Sequence, residues 1–257
     1  MSTTSMNNVF SVSRFQLVLK RFVVLNQRTW LIGFLCVAGF LLAIAVLPTM
    51  SDMLNVQRPG FIAIRGFTLS LYTLGGLILT SMIFNEIHSP TKAFQFLTLP
   101  STTFEKLIAA WFTGSVVYTV VSMIAIVALS VLVEVIKGVN LGIWTPFNIF
   151  NPFAPDVISS ILGFFFYQSI FLLGAVYFKK NNFIKTLLIV IVFVLGTLFV
   201  LNIGLLIFGL SQNQEFFLNI QLDAQRWFAV LKYTLGIGLT IFFIWLSYLQ
   251  LKNKQVA

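Results

Sequence analysis

Charge is scarce in this chain. Its 257 residues include 16 lysines and arginines and 7 aspartates and glutamates, 9% in all, where a soluble domain carries about 25%. A single cysteine excludes a disulfide-stapled secreted fold. With one histidine and few acids, there is little from which to build a metal site or an acid–base pair. What fills the space is apolar: 58% hydrophobic residues, a mean hydropathy of +0.97 and 29 phenylalanines, more than all charged side chains combined. Covering that surface in water would leave patches far beyond the few hundred Å² that soluble monomers tolerate. These figures predict an all-α integral membrane protein, one transmembrane domain over residues 1–257.

About 20 mostly apolar residues cross a hydrocarbon core about 30 Å thick, and the chain offers six such runs, at about 30–47, 61–84, 107–133, 157–178, 186–210 and 227–251. The first lies too far from Met1, behind a basic segment, to read as a cleavable signal peptide. Six spans place both termini on one side. The segments on that side hold Arg14, Lys20, Arg21, Arg28, Lys92, Lys106, Lys179, Lys180, Lys185, Lys252 and Lys254 against only Glu86 and Glu105. The opposite segments hold Arg58, Arg65, Lys137, Arg226 and Lys232 against Asp52, Glu134, Asp156, Glu215 and Asp223, which is neutral. The net charge of +9 therefore falls entirely beside the termini. By the positive-inside rule both termini are expected in the cytoplasm, of a bacterial plasma membrane if the resemblance described below holds. The basicity sets orientation and gives no reason to expect a nucleic acid partner.

Before the first span, RFQLVLKRFVVLNQR (14–28) sorts its residues by face at 100° per residue. Phe15, Val18, Leu19, Phe22, Val23 and Leu25 fall on one half; Arg14, Gln16, Lys20, Arg21, Gln27 and Arg28 fall on the other. That pattern predicts an amphipathic helix over 10–28 lying in the bilayer interface, with Trp30 marking the turn into the membrane.

Between the second and third spans, NEIHSPTKAFQFLTLPSTTFEK (85–106) is expected in the cytoplasm yet keeps its aromatics. Ser89-Pro90 is an N-cap and first-turn pair, so a short helix is predicted over 90–97, broken by Pro100. Thr102 and Glu105 have capping-box spacing, which starts a second helix leading into the third span. Phe94 and Phe96, rimmed by Glu86 and Lys92, suit a groove on a soluble subunit, since interface hot spots favour aromatic anchors with a charged rim.

The order of basic helix, two spans, an acidic residue closing the second, a short helix, a Leu-Pro-Ser step and four further spans resembles the permease subunit of type 2 ATP-binding cassette exporters. More narrowly, FLTLPSTTFEKLIAAWF (96–112) resembles permeases of Bacteroidetes. The resemblance implies a coupling helix at 89–97 that seats in a separate ATP-binding subunit, with Glu86, Ser89, Lys92, Phe94, Phe96 and Leu97 as the coupling residues. It also implies a second permease subunit, identical or not, and a hydrophobic, lipid-like or peptide- or drug-like cargo. One departure is the lack of any glycine between Gly76 and Gly114, where the family often has one.

No GxxxxGK[ST] loop is present, so ATP and magnesium would sit on the partner, and this chain is not expected to be an enzyme by itself. None of the seven acids falls near a midplane, which disfavours an ion-coupled carrier. His88 reads as a solvated or cap-region residue, Cys36 as a small packed hydrophobe, and Gly75, Gly76, Gly236 and Gly238 as sites of close helix packing. Ser70, Thr73, Thr80, Ser81, Thr197 and Asn202, with Tyr72, can line a pathway or bond within the bundle. The resemblance implies re-entrant outer helices in 211–226, and an ordered surface cap is the other reading of that segment. The alternative function is a non-transporting scaffold or immunity protein that holds a soluble partner through the same loop.

Overall fold

The computed structural model describes residues 10–50, 65–88, 93, 94, 96, 98–141, 149–209 and 234–254. It contains six helical stretches long and apolar enough to cross a membrane, and the described residues contain no strand. Helix α1 is Val12–Met50, α2 is Arg65–Met82, α3 is Thr103–Phe112 and α4 is Tyr118–Leu141. Helix α5 is Pro155–Tyr177, α6 is Asn182–Gly209 and α7 is Thr234–Lys254. The expected spans match these apart from their ends. Residues 61–64, 210 and 227–233, and the re-entrant helices expected in 211–226, lie outside the described residues.

Helix α1 departs from expectation. No break occurs at Trp30: one helix of 39 residues runs from Val12 to Met50, about 58 Å at 1.5 Å per residue. Neither glycine nor proline occurs between Val12 and Trp30, so nothing local ends the helix there. Trp30 is instead buried edge-on against Tyr118. A second long rod forms where α3 continues into α4 through a π turn at Thr113–Val117. Hydroxyls add bonds here: Thr113 Oγ1 donates at 2.7 Å to the Ala109 carbonyl, which also accepts the Thr113 N–H, and Ser115 Oγ donates to that of Trp111 at 2.6 Å.

Packing follows small residues. Gly76 admits the rings of Phe164 and Tyr118, which would stand 2.4 and 2.6 Å from a Cβ placed there, so α2, α4 and α5 meet closely. Gly174 does the same for Thr186 where α5 crosses α6. By contrast nothing lies within 4 Å of a Cβ at Gly236 or Gly238, and close packing at those two is not found. One apolar cluster fills the middle of the bundle around Tyr72, Tyr118, Phe164 and Phe171. Another joins Phe22, Phe84, Phe96, Leu107, Leu172 and Leu251 at one end. That end also gathers Ser11, Glu86, Glu105, Val176 and Lys254, so both described ends of the chain meet there. We call it the basic end. At the other, Arg65 pairs with Asp156 at 2.6 Å and lies over the Phe150 ring, as a snorkelling edge cation should.

Candidate functional site

Two acids accompany the basic residues at the basic end, and each is bonded to an arginine of α1. Glu105 is fully buried. The capping box expected from Thr102 and Glu105 is present, with Thr102 N donating to Glu105 Oε2 at 2.8 Å and Glu105 N donating to Thr102 Oγ1 at 3.2 Å. The other oxygen, Oε1, accepts from the Ser11 backbone N–H at 2.8 Å and from Arg14 Nη2 at 3.0 Å. One carboxylate thus starts α3 and ties down the beginning of α1. Glu86, in a short 3-10 turn at Asn85–His88, forms an ion pair with Arg21 at 2.9 Å. Arg14 and Arg21 are seven residues apart, about 10 Å along the helix, on one face. The segment between Glu86 and Glu105 is therefore bound at each end to the same rigid rod.

The apolar stripe of α1 takes a different partner from the one expected. Val18 and Phe22 are buried, and Phe15 and Leu19 pack beside them. The Phe22 ring meets Phe84 and Phe96, each at 6.3 Å. Phe15, Val18, Leu19 and Phe22 of the stripe thus face protein, while Leu25 is half exposed. An apolar side chain is satisfied by either medium, and Phe84 and Phe96, two phenylalanines supplied by neighbouring elements, make a close-fitting surface for Phe22.

Of the expected coupling residues, Ser89, Lys92 and Leu97 lie outside the described residues. The other three separate. Phe94 is 72% exposed and Phe96 is 1% exposed; both are helical, and the Thr98 N–H closes on the Phe94 carbonyl at 2.9 Å. Phe96 is thus no docking anchor in this state. It is a core residue, with Lys106 Nζ 5.2 Å from its ring centre. Residues two apart on a helix point about 200° apart, so one short helix cannot offer both rings to the same groove.

Above this end, α1, α2 and α4 enclose an apolar groove of about 360 Å³. Its walls include Trp30, Phe34, Leu41, Tyr72, Ile78 and Tyr118. Tyr118 is the pivot of the wall: it stacks on Tyr72 at 5.5 Å and on Phe34 at 6.0 Å, and its hydroxyl donates to the Tyr72 carbonyl at 2.7 Å. The Tyr72 hydroxyl bonds Thr119 Oγ1 at 2.8 Å. With its polar atoms satisfied internally, the groove presents almost pure hydrocarbon, a surface for an apolar or lipid-like molecule. Cys36 lines it and is exposed, so it is not the packed hydrophobe expected.

Of the expected pathway residues, Tyr72 lines this groove and the other six do not. Ser70, Thr73, Thr80, Ser81 and Thr197 each donate their hydroxyl to the carbonyl four residues back in their own helix, and Asn202 does so with its amide. Thr80 and Ser81 are buried, whereas Thr197 and Asn202 face outward on α6. Ser70 and Thr73 line a second, shallower recess of about 440 Å³ with Ser160 and Tyr167. Tyr118, the residue that organises the apolar groove, was not singled out from sequence. Its signal is a tyrosine inside an apolar run, where a buried hydroxyl needs a partner. No family model, curated protein or solved structure matches this chain.

Proposed function

We propose that the chain is the membrane-spanning permease subunit of an ATP-driven transporter, paired with a second permease subunit and powered by separate ATP-binding subunits. One observation carries this reading: the segment between Glu86 and Glu105 is bound at both ends to α1, and α1 is a wall of the apolar groove. A push on that segment reaches the groove through one helix. On this reading the basic end faces the cytoplasm of a bacterium, Phe94 enters the ATP-binding subunit, and the groove takes a hydrophobic, lipid-like or drug-like cargo for export. The outer part of α6, where Phe193, Phe199 and Val200 are two-thirds exposed or more, would meet lipid or the second subunit.

The test separates the two phenylalanines. Phe94→Asp removes co-purification of the ATP-binding subunit while leaving the fold intact, because the side chain is exposed. Phe96→Asp places an acid in a sealed core, so the protein itself is lost. Retention of the ATP-binding subunit by folded Phe94→Asp sinks the proposal. In reconstituted vesicles the transporter reading requires cargo-stimulated ATP hydrolysis; a scaffold that merely holds a partner gives none.

A further inference from the structure

The closing end of α5 gathers a histidine and several lysines. His88 Nε2 lies 2.9 Å from the Ala175 carbonyl oxygen, and Lys254 donates its ammonium to the next carbonyl, Val176. These two groups come from the 3-10 turn and from the last turn of α7, elements far apart in sequence, and they meet at the last carbonyls of α5. Capping of this kind suits the negative end of a helix. It fixes the side chains and brings them together. Lys179, just past the end of α5, is exposed; burial first, and then the charge of the neighbouring lysines, holds the pKa of His88 and of Lys254 below the usual values, which leaves His88 mostly uncharged near pH 7. Lys180 stands beside it, and Lys185 lies over the ring of Phe178 at 5.6 Å.

No described carboxylate is left to neutralise this group. Glu86 and Glu105 are bonded to Arg21 and Arg14; Asp156 pairs with Arg65 at the opposite end, and Glu134 belongs to the outer part of α4. Lys179 and Lys254, with no described acid among them, gain most from an anion that both can contact at once, and such an anion would favour the charged form of His88 beside them.

We propose that Lys179, Lys254 and His88 form a binding site for a phosphate group at the basic end, between the α5–α6 turn and the end of α7. A lipid headgroup and free phosphate share this chemistry. The site does not depend on the transporter reading, since it uses none of the coupling segment beyond His88.

His88 is the only histidine, so its imidazole resonance in selectively labelled protein reports on this place alone. The full chain is placed in nanodiscs of phosphatidylcholine or of phosphatidylglycerol, and inorganic phosphate is added to the phosphatidylcholine sample. The wild-type resonance is expected to move in phosphatidylglycerol, and native mass spectrometry to show retained phosphatidylglycerol. K179Q, whose altered side chain is exposed and leaves packing untouched, should lose the specific movement and lower retention about tenfold, as expected for one charge-assisted contact. K252Q, an exposed lysine on the same helix as Lys254, should behave as wild type. Movement with inorganic phosphate identifies a site for free phosphate as well; movement with phosphatidylglycerol alone identifies a headgroup site. Equal movement in wild type, K179Q and K252Q would reveal only the general potential of an anionic surface and overturn the proposal. So would no movement in any sample.

Discussion

Glu105→Ala is the sharpest single perturbation of the basic end. The carboxylate is sealed from solvent and accepts from Ser11 N, Thr102 N and Arg14 Nη2 at 2.8, 2.8 and 3.0 Å. A hydrogen bond to a charged group is worth about 1.5–3 kcal/mol, and loss of the N-cap function alone costs about 1 kcal/mol. The terms do not add. Ser11 is only partly buried, so water can replace some of what its N–H loses. A local cost of about 2–4 kcal/mol follows. Amide exchange reads it directly, since each 1.4 kcal/mol of opening free energy is about tenfold in rate. The amides of Phe15 and Lys106, which close the first turns of α1 and α3, should exchange roughly thirty- to several-hundred-fold faster. Glu105→Gln keeps an acceptor but no charge, and Arg14→Ala leaves the carboxylate its two backbone donors. Each should cost about 1–2 kcal/mol, or about tenfold. The reasoning fails if Glu105→Ala changes those rates less than about threefold, or if amides in the middle of α6 speed up equally, which would mean global loosening.

Two other perturbations test the bundle. A methyl at Gly174 would stand 1.9 Å from Thr186 Oγ1 and 2.9 Å from its Cβ, so rotating the threonine cannot clear it. Gly174→Ala should destabilise by about 1–3 kcal/mol in thermal melts, and adding Thr186→Ala should restore part of that. Equal stability of Gly174→Ala and wild type would show that the α5–α6 crossing is looser than described. Ile78→Trp, at an exposed position on the groove wall, should abolish cargo-stimulated ATP hydrolysis while leaving the ATP-binding subunit attached; unchanged stimulation would move the cargo path elsewhere.

Much of the architecture is legible in the sequence because a bilayer asks simple questions of a chain. Twenty apolar residues and the placement of lysine and arginine locate the spans and pair their ends. Thr102 and Glu105 announce a capping box that forms as expected. The stripe on α1 is less informative, because Val18 and Phe22 look the same to acyl chains as to Phe84 and Phe96. Phe96 could have been read correctly, since a helical register already sets it opposite Phe94. The hydroxyls of the second and fifth spans were uninformative for another reason: serine and threonine in a helix can always bond the carbonyl four residues back, and all five of those expected to line a path do so. The contact of Trp30 with Tyr118 emerges only when α1 and α4 are brought together, since an aromatic at the edge of or inside an apolar run does not say which helix it meets.

The unbroken run of α1 makes it a lever. From Trp30, wedged against Tyr118, to Val12 the arm is about 27 Å long at 1.5 Å per residue. With that contact as fulcrum, a tilt of about 5° carries the start of the helix about 2.4 Å sideways, given the same rise per residue. On the far side of the fulcrum Leu41, at a shorter distance, swings the opposite way by about 1.4 Å. A helix broken at Trp30 would absorb such a stroke at its hinge; an unbroken one would carry it, reduced and reversed, to the groove wall.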